Sequence, residues 1–242
     1  MRKHRFFINE SLTIDNIINL DSDISHQISR VLRLQVGNII YLFNNSNCEF
    51  MATIEHIDKK NVTAKITNQH PDLNTSPLKI HLGQVLSKGE KMDLVIQKAT
   101  ELGVHSITPL YSERSLIKLT ADRSNTKHEH WQKIAISASC QSWRNDVPII
   151  YPAQNLFDWV SKNSDPYKLL LSPHHGAQKI TSLNIKNNLS ILVGPEGGFS
   201  AAEADYAIQN NFKAISLGPR ILRTETAGIA TIAILQANFG DL

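Results

Sequence analysis

The chain has 242 residues, of which 41% are hydrophobic and 19% charged, with a formal net charge of +3. That length admits one or two domains, and the composition excludes a disordered tail. No apolar run approaches the roughly 18 residues of a membrane-spanning helix. The small net charge means that any anionic partner must be met by local clusters.

The basic opening Arg2-Lys3-His4-Arg5-Phe6-Phe7 is followed by no apolar stretch with a cleavage site, so no signal peptide is expected. Cys48 and Cys140 lie far apart and form neither a CxxC pair nor a disulfide framework, which fits a reducing, cytoplasmic compartment. Arg5–Ile8 reads as a short extended run. Ser22–Leu34 has Ile24, Ile28, Val31 and Leu32 at helical spacing. Asn38–Phe43, Phe50–His56 and Asn61–Thr67 read as strands, separated by Asn- and Asp-rich turns. Short strands with turn signals suggest a small β-barrel. The segment His70–Pro77, with two prolines among small polar residues, predicts a domain boundary near residue 72. The expected domains are therefore residues 1–71 and 72–242.

Beyond the boundary, strands alternate with helices. Leu78–Leu86, His105–Leu110, Val147–Tyr151, Lys168–Leu171, Leu189–Val193 and Ala214–Leu217 read as strands. Glu90–Leu102, Asn125–Trp143, Leu156–Lys162, Ser200–Asn210 and Thr224–Phe239 read as helices. Gly103 closes the first of these, and Ser200 with Glu203 forms a capping box for the fourth. This alternation predicts an α/β fold with a parallel sheet covered on both faces.

Five of the chain's 11 glycines lie between Gly194 and Gly228. Two clusters, Gly194-Pro195-Glu196-Gly197-Gly198-Phe199-Ser200 and Leu217-Gly218-Pro219-Arg220-Ile221-Leu222-Arg223-Thr224-Glu225-Thr226-Ala227, each follow an apolar strand and precede a helix. In open α/β sheets ligands bind beyond the carboxyl ends of strands, so both clusters fall on the binding edge. Neither matches the dinucleotide or P-loop fingerprint. Glycine permits close backbone approach and proline stiffens the loops, which suits a flat, neutral group such as adenine. Each cluster also reads as a plain strand-to-helix turn.

Arg220 and Arg223 stand at the start of a helix, where the dipole favours acids; Glu225 fits that dipole and the arginines do not. They either meet phosphate or carboxylate in bidentate fashion or pair with Glu196 or Glu225. Arg2, Lys3 and Arg5, with Arg30 and Arg33 three apart on one helix face beside His26, suit RNA phosphates. Phe6 or Phe7 is expected in the barrel core. No HExxH, CxxC or carboxylate-rich loop suggests a metal, and GxSxG is absent. His128-Glu129-His130 reads as a solvated surface, and His174-His175 as loop structure.

Gln97-Lys98-Ala99-Thr100-Glu101-Leu102-Gly103-Val104 and the two glycine clusters together resemble the signature of the ribosomal RNA small-subunit methyltransferase E family. The N-terminal Arg2–Phe7 and the stretch His26–Arg33 are similar to that family's opening pattern, so the resemblance spans essentially the whole chain. It implies a PUA-like β-barrel before a SPOUT domain, an α/β fold with a deep trefoil knot that works as a homodimer. It implies S-adenosylmethionine as cofactor and methylation of N3 of one uridine in 16S rRNA, near the decoding site of the 30S ribosomal subunit. On the positions that match, Leu192, Gly194, Pro195 and Gly197, with Leu217, Gly218, Ile221, Leu222, Arg223 and Thr226, are expected to bind the cofactor. Cys140 and Trp143 depart from the family pattern, which has an acid before the glutamine and a small residue before the arginine.

Uridine N3 must lose its proton for methyl transfer, so a base with a raised pKa would help. Glu196 and Glu225 are the nearest candidates, while Arg220 or Arg223 would stabilise the uracil anion. Two other readings stand beside this one: a related knotted enzyme acting on tRNA or a ribose 2′-oxygen, and a non-catalytic RNA-binding module.

Overall fold

Alternation of buried and exposed side chains sets the N-terminal elements. In the computed structural model, which describes residues 3–58, 61–71, 75–115, 117, 120–172, 177–180 and 183–242, they form a five-stranded sheet. Its strands are β1 (Arg5–Phe7), β2 (Ile17–Leu20), β3 (Ile39–Phe43), β4 (Cys48–Ile57) and β5 (Val62–Pro71), in the order β1-β3-β4-β5-β2. β1 and β3 are parallel, with Phe6 beside Leu42; the other neighbours are antiparallel. Ile40, Leu42, Ile54, Ala64 and Ile66 are fully buried and pack with Phe6 and Phe50.

Three details differ from the sequence expectation. The expected helix is a short α1 (Ser22–His26) that continues as one π turn over Gln27–Val31, closed by a Leu32 N–H to Gln27 carbonyl bond of 2.8 Å. The wider turn ends the helix early, and Arg33 takes a left-handed φ of 52° beyond it. Arg30 and Arg33 therefore do not share a helix face. β2 is too short for its alternation to stand out in sequence, and β5 runs on to Pro71, into the segment expected to be linker.

The chain divides into two compact units: Met1–Thr75 with Ser139–Val147, and Ser76–Ala138 with Pro148–Leu242. The first is thus discontinuous. Ser139–Val147 joins it through Arg5, whose guanidinium donates to the carbonyls of Ser139 (3.3 Å) and Arg144 (3.1 Å) and to Asn145 Oδ1. The Val147 N–H adds a 2.8 Å bond to Asn45 Oδ1.

The second unit is an eight-stranded sheet. Its strands are β6 (Ile80–Val85), β7 (Ser106–Tyr111), β8 (Ile149–Ile150), β9 (Gln154–Asn155), β10 (Tyr167–Leu171), β11 (Gln178–Lys179), β12 (Leu189–Val193) and β13 (Lys213–Ser216). The order is β11-β13-β10-β12-β6-β7-β8, with β9 pairing β7, and every pair is parallel. All five β12 residues are buried, the pattern of a strand covered on both faces. The helices are α2 (Lys91–Glu101), α3 (Ala121–Ser142), α4 (Leu156–Lys162), α5 (Ala201–Gln209) and α6 (Thr224–Phe239). The Ser200–Glu203 capping box opens α5 as expected.

Two glycines fix close packing. Trp159 of α4 lies over β6, its ring carbons 2.7–2.9 Å from where a Cβ on Gly83 would stand. Gly103 ends α2 with φ +81°, and the Gln236 amide of α6 donates to its carbonyl at 3.1 Å. α6 packs against α2, β6 and β12.

Candidate functional site at the carboxyl edge of the parallel sheet

Three adjacent strands, β13, β10 and β12, end at the same edge of the sheet. The loops that follow β12 and β13 each turn through a left-handed glycine, Gly198 at φ +68° and Gly218 at φ +117°. Between them lies a cavity of about 700 Å³. Gly194, Pro195, Glu196 and Gly197 line it from the first loop, and Leu217, Arg220, Ile221, Leu222 and Arg223 from the second. Val193, Phe199 and Ile215 add apolar wall. Ile221 is 79% exposed, an isoleucine facing open space at a cavity wall.

The loops are tied to each other and to the sheet. The Thr224 hydroxyl donates to the Gly194 carbonyl and accepts from the Gln84 side-chain amide at 2.9 Å. Gln84 Oε1 is buried without a partner among the described residues. Gly194 sits under the Phe199 ring, whose atoms lie 3.0–3.2 Å from where a Cβ would stand.

Charge on the cavity is one-sided. Lys91, Arg114, Arg220 and Arg223 face a single carboxylate, Glu196. Glu196 pairs with Lys91 at 2.8 Å. Partial burial pushes its carboxyl up, but the Lys91 hydrogen bond, its own backbone N–H and the charges of Lys91 and Lys88 together hold it below the ordinary glutamate range. That is the wrong direction for a general base. Among the described residues, neither Arg220 nor Arg223 forms an ion pair or hydrogen bond, so the pairing with Glu196 or Glu225 weighed from sequence does not occur.

Several expected residues lie elsewhere. Leu192 is fully buried and packs in the core with Val85, Leu110 and Leu170, because β12 turns its side chain away from the edge. Thr226 is exposed and outside the lining, and Gly218 bends the loop without facing the cavity. Glu225 is buried in the first turn of α6, outside the lining, with Oε2 unpartnered among the described residues. Sequence reasoning missed Lys91, Arg114, Phe199 and Thr224. The edge rule had the signal for the first two, which follow the carboxyl ends of β6 and β7.

In the first unit, Arg5 is corrected from an RNA contact to a structural residue. Its side chain is 2% exposed and forms an ion pair with Glu49 at 3.1 Å. Lys3 is exposed and lies over the Tyr41 and Trp143 rings at 4.7 and 4.9 Å. Arg30 and Arg33 are exposed, while Arg2 and the His174-His175 pair lie outside the described residues. Phe6 is core, as expected. Burial raises the Cys140 thiol pKa, against the nearby charge of Arg5. His128 and His130 are partnered rather than merely solvated: one ring meets the Ile150 carbonyl and the other Asp93, each at 2.7 Å. Among the described residues no cluster of side chains could hold a metal, and no helix is long and apolar enough to cross a membrane.

Comparison with known proteins bears on both units. A family model described as RNA methyltransferase domain matches residues 74–236, and one described as RNA methyltransferase PUA domain matches residues 20–67. The chain is 40% identical over 240 residues to Ribosomal RNA small subunit methyltransferase E of Buchnera aphidicola subsp. Schizaphis graminum, covering 98% of this chain and 97% of that one. It is 31% identical over 223 residues to the protein of that name from Bacillus subtilis, covering 87% and 86%. Its fold matches the crystal structure of a ribosomal RNA small subunit methyltransferase E from Neisseria gonorrhoeae bound to S-adenosyl methionine. That match has a TM-score of 0.94 at 34% identity and covers 100% of each chain.

Proposed function

Because the chain belongs to the ribosomal RNA small subunit methyltransferase E family, we propose that it transfers a methyl group from S-adenosylmethionine to N3 of one uridine in 16S rRNA, near the decoding site. The observation that carries the reading is the convergence of both glycine loops on one cavity with an exposed apolar wall at Ile221. A cavity of about 700 Å³ is within the range of small-molecule sites, about 300–1,000 Å³.

The residues present fit the cofactor. Gly194 and Gly197 line the cavity while making room for the Phe199 ring and the Arg114 stem, Leu217, Ile221 and Leu222 offer apolar cover, and the peptide groups of both loops supply donors and acceptors. Bound there, the cofactor supplies an electrophilic methyl group on a sulfonium. The chain's own task is alignment, from which much of the rate of such a transfer comes. Arg223, and beside it Arg220, stabilise the oxygens of a uracil that has lost its N3 proton; both are exposed at the cavity and held by no carboxylate among the described residues. Glu196 serves to hold Lys91, and the N3 proton leaves to solvent.

The reading extends to the family's further properties. On this reading the second unit carries the family's deep trefoil knot. α6 leaves the apolar side chains Ile229, Ala230, Ala233 and Ile234 only half buried, which supports a homodimer packed on this helix. Free Cys48 and Cys140 fit a cytoplasmic protein.

The test is methyl transfer from labelled S-adenosylmethionine to unmodified 30S subunits and to deproteinised 16S rRNA, with digestion and nucleoside identification. 3-Methyluridine is the expected product. A 2′-O-methylated nucleoside, or transfer only to tRNA, would point to the related knotted enzymes. RNA binding without cofactor binding would point to a non-catalytic module.

A further inference from the structure

We infer that Arg114 is a substrate-positioning residue that grips a phosphodiester of the RNA strand as the target nucleotide enters the cavity; the inference rests on the methyltransferase reading above. Arg114 follows β7, two strands from β12, yet its side chain reaches the first glycine loop. Its Nη1 donates to the Gly197 carbonyl at 3.0 Å. Its Cβ and Cδ lie 3.8 Å from where a Gly197 Cβ would stand, so the loop glycine accommodates the arginine stem. A guanidinium has five N–H donors, and this is the one hydrogen bond it makes among the described residues.

The loop beneath Arg114 is held with unusual care. Glu203 is fully buried, and a buried carboxylate is costly unless its oxygens are satisfied. One oxygen caps α5 by accepting the Ser200 N–H at 2.9 Å. The other accepts the N–H of Glu113, the residue before Arg114, at 2.8 Å. Capping alone requires only the first bond. The second fixes the backbone that aims Arg114, and ties it to the same helix start that ends the glycine loop.

Charge identifies the ligand class. Four cations line the cavity against one carboxylate, which Lys91 already occupies. S-adenosylmethionine carries a sulfonium, an ammonium and one carboxylate, so it brings net positive charge to this cationic lining. RNA brings the complementary charge as phosphate. Arginine is suited to that role because its planar fork binds phosphate oxygens in pairs.

The experiment compares wild type with Arg114→Gln and Arg114→Lys. It measures cofactor affinity by titration calorimetry, kcat and KM for the RNA substrate, and the salt dependence of binding to deproteinised 16S rRNA. Arg114→Gln is expected to raise KM about tenfold with kcat and cofactor affinity changed less than threefold. The slope of log affinity against log salt falls by about 0.7, the loss of one phosphate contact to a single strand. Arg114→Lys restores the slope, since the charge returns, but only part of KM, since the fork does not. Weakened cofactor binding with unchanged RNA terms would make Arg114 a cofactor contact and overturn the inference, as would an unchanged KM and slope. If wild type transfers no methyl to RNA, the functional reading fails by itself, and the salt slope still decides the role of Arg114.

Discussion

The Thr224 hydroxyl donates to the Gly194 carbonyl at 2.5 Å across 30 residues of sequence. This bond joins the start of α6 to the loop after β12, and the Gln84 amide braces it from β6. Both glycine loops are therefore held by one side chain.

Thr224→Val keeps the shape and removes the hydroxyl. The Gln84 amide and Gly194 carbonyl then lose a shared partner, a cost of about 1–3 kcal/mol. Cofactor affinity is expected to fall about tenfold, equivalent to roughly 1.4 kcal/mol, with helix content unchanged. Titration calorimetry with circular dichroism checks this; undiminished affinity would mean that the loops hold their spacing without the bond.

Arg223→Ala removes a cation that is exposed at the cavity and has no ion-pair partner among the described residues. Stability should move by no more than about 0.5 kcal/mol. The single-turnover methyl-transfer rate is expected to fall about 10²–10³-fold, the usual loss of one stabiliser of developing anionic charge. A rate within threefold of wild type would remove Arg223 from the reacting centre.

Arg5→Met should act on stability and leave RNA binding alone. The substitution leaves Glu49, the carbonyls of Ser139 and Arg144, and Asn145 without their shared donor. Breaking a buried pair of this kind costs about 3–5 kcal/mol. Urea unfolding reads the loss directly. Normal stability with a tenfold loss of RNA affinity would return Arg5 to the binding surface.

Asp165 gives stability a dependence on acid. Its burial favours the neutral acid, but hydrogen bonds from His81 and Ser190 and the charges of His81 and Lys168 outweigh that and hold its pKa below the ordinary 3.8. A lowered carboxylate stabilises the fold above its unfolded pKa, and that contribution disappears as pH falls through the folded value. Asp165→Asn should therefore be less stable than wild type near pH 6, with the gap closing below about pH 3.8. Urea midpoints at stepped pH measure the gap, and one that stays constant through pH 3 would contradict the assignment.

The sequence by itself determined the element types, the parallel sheet and the two glycine loops, because those features are local. A continuous apolar run such as Leu189–Val193 reads as a buried strand, and Ser200 with Glu203 reads as a helix start, without knowledge of what packs against them. Gly103 likewise ends α2 through its own backbone preference. Only the tertiary structure decided which polar groups meet. Arg5 is basic and near the N-terminus, which suits RNA, yet the return of Ser139–Val147 surrounds it with carbonyls and takes it out of solvent. Leu192 and Val193 are neighbours, but the strand's alternation sends one into the core and the other to the cavity. Arg114 stands outside every motif, and strand order alone brings it to Gly197. The physical reason is common to all three: local preference depends on a residue and its neighbours, whereas burial and pairing depend on which distant segment the fold lays across it.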